Sequence, residues 1–116
     1  MFNKPMILNI IFCFFILPFG ATASTYDVDG NGVEDALTDG LIVLRHEFGL
    51  AGDELTAGAL ASDATITNPE TIANYIDQRL EIFDLDGNGS LDALTDGLLL
   101  LRYLFGLSGE AMTNGV

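Results

Sequence analysis

Residues 27–50 and 84–107 of this chain align without a gap and are identical at 17 of 24 positions. This duplication constrains the fold more than any other feature, because two copies of one supersecondary unit bury their apolar faces together. Each copy opens on Asp-x-Asp-Gly-Asn-Gly and runs into an apolar stretch. Asp27, Asp29, Asn31 and Asp35 recur as Asp84, Asp86, Asn88 and Asp92, and the glycine at the sixth position is Gly32 or Gly89. Oxygen-bearing side chains at alternate positions, with glycine where the turn is sharpest, describe a loop wrapped round a hard cation.

Calcium takes six to eight oxygen ligands, and an EF-hand-like loop supplies them from positions 1, 3, 5, 7, 9 and 12. Positions 1, 3 and 5 are Asp27, Asp29 and Asn31, then Asp84, Asp86 and Asn88. Position 7 contributes a backbone carbonyl, from Val33 or Ser90, so its side chain is free to differ between copies. Asp35 and Asp92 stand at position 9 and act directly or through water. Position 12 is Thr38 or Thr95, which offers no bidentate carboxylate, and the acid comes one residue later at Asp39 or Asp96. Two readings follow. The loop is one residue longer and closed by Asp39 and Asp96, or these acids favour the helix N-terminus through its dipole. Zinc prefers His and Cys, which the loops lack, and magnesium prefers fewer protein ligands, so the expected cofactor is two calcium ions.

The expected fold class is all-α. After the first loop Leu37, Leu41, Leu44 and Phe48 recur at helical spacing, and Leu94, Leu98, Leu101 and Phe105 repeat them, each run closed by a glycine. These stripes are expected to form the core. Ile42, Arg45 and His46, with Leu99, Arg102 and Tyr103, project away from them and suggest a partner surface. Residues 51–67 read as a connection with a helical turn near 54–60. Asn68-Pro69-Glu70 is a helix start, with Asn as N-cap and Pro in the first turn. Ile72, Ile76, Leu80 and Phe83 give that helix an apolar face, and it runs directly into Asp84. Residues 107–116 read as a frayed tail. The first loop has no helix before it, so the repeated unit is loop-then-helix.

Residues 1–23 read as a secretory signal peptide: Lys4 gives a positive start, an apolar run of about 14 residues follows, and Ala21-Thr22-Ala23 is a cleavage site. That run is short for a membrane span of roughly 20 residues. The expected mature module, residues 24–116, is exported and contains no cysteine, since Cys13 lies in the signal. A small domain without disulfides is commonly stapled by metal. In the mature part three arginines oppose 17 acidic residues, eight of whose eleven aspartates lie in the two loops. No basic patch exists to meet phosphates, which disfavours nucleic acid and anionic membranes. No catalytic constellation can be assembled, as His46 is the one histidine and paired carboxylates occur only in the loops. The chain is therefore not expected to be an enzyme.

The duplicated Asp-x-Asp-Gly-Asn-Gly loop, followed by a helix ending in Arg45-His46-Glu47-Phe48-Gly49 or Arg102-Tyr103-Leu104-Phe105-Gly106, resembles the dockerin family. The resemblance covers residues 27–107. It implies a small domain of two calcium loop–helix units joined by a further helix. It also implies a calcium-dependent partner, a cohesin-like domain, through which secreted and often polysaccharide-degrading proteins are tethered. Carried over by position, the contact residues would be Leu44, Arg45 and His46 with Leu101, Arg102 and Tyr103. A calcium-binding or buffering protein without a dedicated partner is the other reading of the same loops.

Overall fold

The computed structural model describes residues 25–116; the expected signal peptide, with Lys4 and Cys13, lies outside them. The described chain is helical and has no strand. Its α-helices are α1 (Leu41–Glu47), α2 (Asp53–Thr56), α3 (Pro69–Asp77), α4 (Leu80–Phe83), α5 (Leu98–Leu104) and α6 (Glu110–Thr113). A π-helical turn leads into α1 (Ala36–Gly40) and another into α5 (Ala93–Gly97). No helix among the described residues is long and apolar enough to cross a membrane.

The π turns explain a correction to the expected core. Asp35 and Asp92 cap them, each carboxylate accepting the N–H two residues on, at 2.8 Å for Leu37 and 2.9 Å for Leu94. Gly40 and Gly97 then donate five residues back, to the carbonyls of Asp35 and Asp92, both at 3.1 Å. A five-residue turn adds one residue to the helical count, so the apolar stripe changes phase at the π-to-α junction. Leu37 and Leu94 are thrown outward, and Phe48 and Phe105 end exposed as well. The buried faces are Ile42 with Val43 and Leu99 with Leu100. The core therefore contains Ile42 and Leu99, two residues assigned from sequence to a partner surface.

The two units face each other through their glycines. A Cβ on Gly40 would meet Leu101 Cδ1 at 3.1 Å and Leu104 Cδ1 at 3.3 Å; one on Gly97 would meet Leu44 Cδ1 at 2.8 Å and Glu47 Oε1 at 2.6 Å. Positions 40 and 97 are equivalent in the repeat, as are 44 and 101, and 47 and 104. The contacts are thus reciprocal, and the absent side chain at each glycine lets the helices approach closely.

Asn68 caps α3 as the sequence indicates, its Oδ1 accepting from Glu70 at 2.8 Å and Thr71 at 3.0 Å. The single helix expected to reach Asp84 is instead broken between α3 and α4. Arg79 leaves helical geometry with ψ 47°, stacks its guanidinium 3.8 Å from the Tyr75 ring and donates to the Tyr75 carbonyl at 3.1 Å. Ile72, Ile76 and Phe83 remain buried, whereas Leu80 is exposed.

The tail is a second correction. The repeat continues past residue 107, because Gly52-Asp53-x-Leu55-Thr56-x-Gly58 recurs as Gly109-Glu110-x-Met112-Thr113-x-Gly115. Arg45 Nη1 donates to the carbonyls of Glu54, Leu55 and Ala57, at 3.3, 3.3 and 2.8 Å. Arg102 Nη1 does the same to Ala111, Met112 and Asn114, at 3.5, 2.9 and 2.8 Å. A cation on the last carbonyls of a short helix satisfies acceptors that have no intrahelical partner. That clamp ties residues 109–115 to α5.

Candidate metal centres

Each loop is folded first by its own side chains. Asp27 Oδ1 accepts the N–H of Gly30 at 3.0 Å and of Asn31 at 3.2 Å, while Oδ2 accepts that of Gly32 at 2.8 Å. Asp84 accepts from Asn88 at 3.2 Å and from Gly89 at 2.7 Å. Asn31 and Asn88 each turn Oδ1 back to the N–H two residues on, of Val33 and Ser90, at 3.0 Å. The backbone passes through positive φ at Gly30 and Gly87, 72° and 71°, a region that a Cβ disfavours.

Asp39 and Asp96 close the loops from within. Asp39 Oδ1 accepts from Val28 at 2.8 Å and Asp29 at 3.2 Å, and its Oδ2 accepts from Asp35 at 2.9 Å. Asp96 accepts from Asp86 and Asp92, both at 3.0 Å. Both carboxylates are buried, because the π turn swings the first helical turn under the loop. Carboxylate oxygens of Asp27, Asp29 and Asp39 lie within 4.8 Å of one another, and so do those of Asp84, Asp86 and Asp96.

The remaining sequence-derived ligands are placed differently. Asp35 and Asp92 use a carboxylate oxygen as the helix cap and stand outside both triads. Val33 and Ser90 lie on the exposed outer turns.

The electrostatics of the first triad are costly without a cation. Asp29 is fully buried, and its Oδ1 has no hydrogen-bond partner. Burial raises its pKa above the usual carboxylate range. Burial likewise lifts Asp39 to about 6, against the pull of the N–H groups it accepts. Three carboxylates brought together with an orphaned oxygen leave a site that a hard, oxygen-seeking cation fits. Glu47 adds a further buried carboxyl. Neither of its oxygens has a partner, and burial, with Asp96 and Asp92 nearby, pushes it up to about 8.

The residues assigned to a partner surface divide. Ile42 and Leu99 are in the core, and Arg45 and Arg102 are committed to carbonyls. His46 Nε2 lies 2.7 Å from Asp77 Oδ1, tying α1 to α3. Leu44 and Leu101 are half-buried against the opposing glycines. Tyr103 is exposed, its ring 6.3 Å from that of Tyr26.

Comparison with known proteins finds no matching family model, no matching curated protein and no matching solved structure.

Three features have no counterpart in the expectations from sequence: the buried Glu47, the repeat's extension to residue 115, and residues 60–66 lying over the first loop. The second was readable from the recurring Gly-acid-x-apolar-Thr-x-Gly pattern.

Proposed function

We propose that the chain is a secreted calcium-binding, dockerin-like interaction module. It would assemble or tether extracellular proteins, polysaccharide-degrading ones among them, through a cohesin-like partner, and it would not be an enzyme. The observation that carries the calcium reading is the orphaned Oδ1 of Asp29 inside a buried carboxylate triad. Asp27, Asp29 and Asp39 would hold one ion and Asp84, Asp86 and Asp96 the other. Each ion would offset the mutual repulsion of its carboxylates and fix the loop against its helix. Binding free energy of that kind is also folding free energy.

Support for an interaction role comes from a duplicated exposed pair. Leu37 and Phe48 are 62% and 56% exposed, and their repeat equivalents Leu94 and Phe105 are 65% and 57% exposed. Large apolar groups left outside at matching places suit a partner surface. They supplement Tyr103 and replace the buried Ile42 and Leu99 in that role.

The test is capture on an immobilised, purified cohesin domain with calcium or with chelator. Capture that needs calcium supports the module. Two calcium ions bound with no capture on a panel of cohesins would favour a calcium-binding or buffering protein. The commitment of Arg45 and Arg102 to carbonyls is the observation that keeps this second reading in play.

A further inference from the structure

The two units are built alike, but among the described residues only the first is covered. Residues 60–66 lie across its loop: Ala61 N–H donates to Asp29 Oδ2, and the N–H groups of Thr65 and Ile66 donate to the Asp29 carbonyl, all at 2.9 Å. Thr65 Oγ1 donates to the Gly30 carbonyl at 2.6 Å, and Leu60 and Ile66 pack on the core. Helix α3 then seals the flank with Ile72 and Ile76, both fully buried. The space above Gly30 is so full that a Cβ there would meet Ile66 Cγ1 at 2.9 Å, whereas above the equivalent Gly87 nothing lies within 4 Å.

At the second loop the same positions are open among the described residues. A cavity of about 320 Å³ is lined by Leu85, Asp86, Thr95, Leu99, Thr113 and Val116. Their repeat equivalents in the first unit include Val28, Asp29, Ile42 and Ala59, each at most 1% exposed. A second cavity of about 240 Å³, between Tyr26, Leu85, Tyr103 and Met112, falls where α3 covers the equivalents Val28, His46 and Leu55.

We propose that these two cavities form one groove for a partner polypeptide, bound as an extended segment followed by a short amphipathic helix. The first unit specifies its chemistry. Successive N–H groups seat on the Asp86 carboxylate and carbonyl, a Ser or Thr hydroxyl bonds the Gly87 carbonyl, and branched aliphatic side chains fill the space over Leu85 and Leu99. Main-chain hydrogen bonds would give affinity and the apolar pockets specificity. Asp86 is both a groove residue and a proposed calcium ligand, so the order of the second loop rests on the calcium reading. Calcium titration alone tests that reading, and peptide titration in saturating calcium tests the groove.

The probe is a synthetic peptide with the sequence of residues 60–77, titrated into the isotope-labelled full chain in calcium and followed by amide chemical shifts. The expected result is saturable shifts at Leu85, Asp86, Thr95, Leu99 and Tyr103, with Val28, Asp29 and Ile42 unmoved. A peptide carrying Ile66→Asp and Ile72→Asp should lose at least tenfold in affinity. Absence of shifts at millimolar peptide, shifts confined to the first unit, or equal binding of the aspartate peptide would overturn the proposal. Shifts that grow with protein concentration alone, together with dimer formation, would also overturn it by assigning the groove to a second copy.

Discussion

Asp39 Oδ1 accepts the main-chain N–H of Val28 at 2.8 Å, joining the first turn of the helical run to the opening of its own loop. The same carboxylate reaches Asp35 through Oδ2, so one side chain holds both ends of a loop that also presents it to Asp27 and Asp29. Asp39→Ala removes these acceptors and leaves buried N–H groups unpaired. Unsatisfied buried donors cost about 1–3 kcal/mol each, so the substitution should destabilise the calcium-loaded chain by about 3 kcal/mol or more. Chemical denaturation in excess calcium measures it, and a loss below 1 kcal/mol would reduce Asp39 to a dipole partner.

Asp39 also predicts opposite pH slopes with and without metal. Its folded pKa is raised from 3.8 to about 6 by burial. Between those values the folded chain holds a proton that the unfolded chain has released, so metal-free stability contributed by this group falls as pH rises. Calcium needs the carboxylate, so the proton competes with the ion and apparent affinity should fall as pH drops through about 6. Calcium titrations at pH 7.5 and pH 5 test this; equal affinities would contradict it.

Glu47 stands where the repeat has Leu104, and its carboxyl is wedged against Gly97. Its pKa is raised from 4.5 to about 8, first by burial and then by Asp96 and Asp92. The folded state keeps its proton longer than the unfolded state, so stability from this group declines as pH rises from 4.5 to about 8. Glu47→Leu should stabilise the chain by about 1–3 kcal/mol at pH 8, with the gain shrinking toward pH 5. Paired thermal melts across that range give the answer.

Arg45 and Arg102 make equivalent clamps on unequal elements. Arg45 holds α2, whose Leu55 is fully buried, whereas α6 has no buried residue. Arg45→Ala should cost about 1–3 kcal/mol and Arg102→Ala distinctly less. Hydrogen exchange of the residue 109–115 amides should nonetheless rise in Arg102→Ala, because that segment has few other ties.

Much of the molecule was legible in the sequence, and the residues show where legibility ended. The duplicated loop and the Asn68 cap could be read because they depend on local spacing. The same spacing singled out Asp39 and Asp96, but not the loop N–H groups that their carboxylates accept. The core face could not, because the π turn changes the helical phase after Gly40, and alternation rules assume a constant period. That phase change displaces Leu37 and Leu94. Ile42 and Leu99 were misplaced because α1 and α5 are covered on more than one face, Leu44 and Leu101 lying against the opposing glycines while Ile42, Val43, Leu99 and Leu100 are buried. Arg45 and Arg102 looked like surface cations, since their acceptors lie nine to twelve residues away and are backbone carbonyls that carry no side-chain signal. The covering of the first loop by residues 60–66 was hidden likewise, as its hydrogen bonds come from the N–H groups of Ala61, Thr65 and Ile66.

The proposed module holds two calcium ions, one on Asp27, Asp29 and Asp39 and one on Asp84, Asp86 and Asp96. Calorimetric titration of calcium into the chelator-stripped chain, beside the Asp96→Ala variant, tests it most directly. Two ions per chain are expected, falling to one in the variant as the second site is lost. Absence of calcium binding, or an unchanged stoichiometry and affinity in Asp96→Ala, would contradict it.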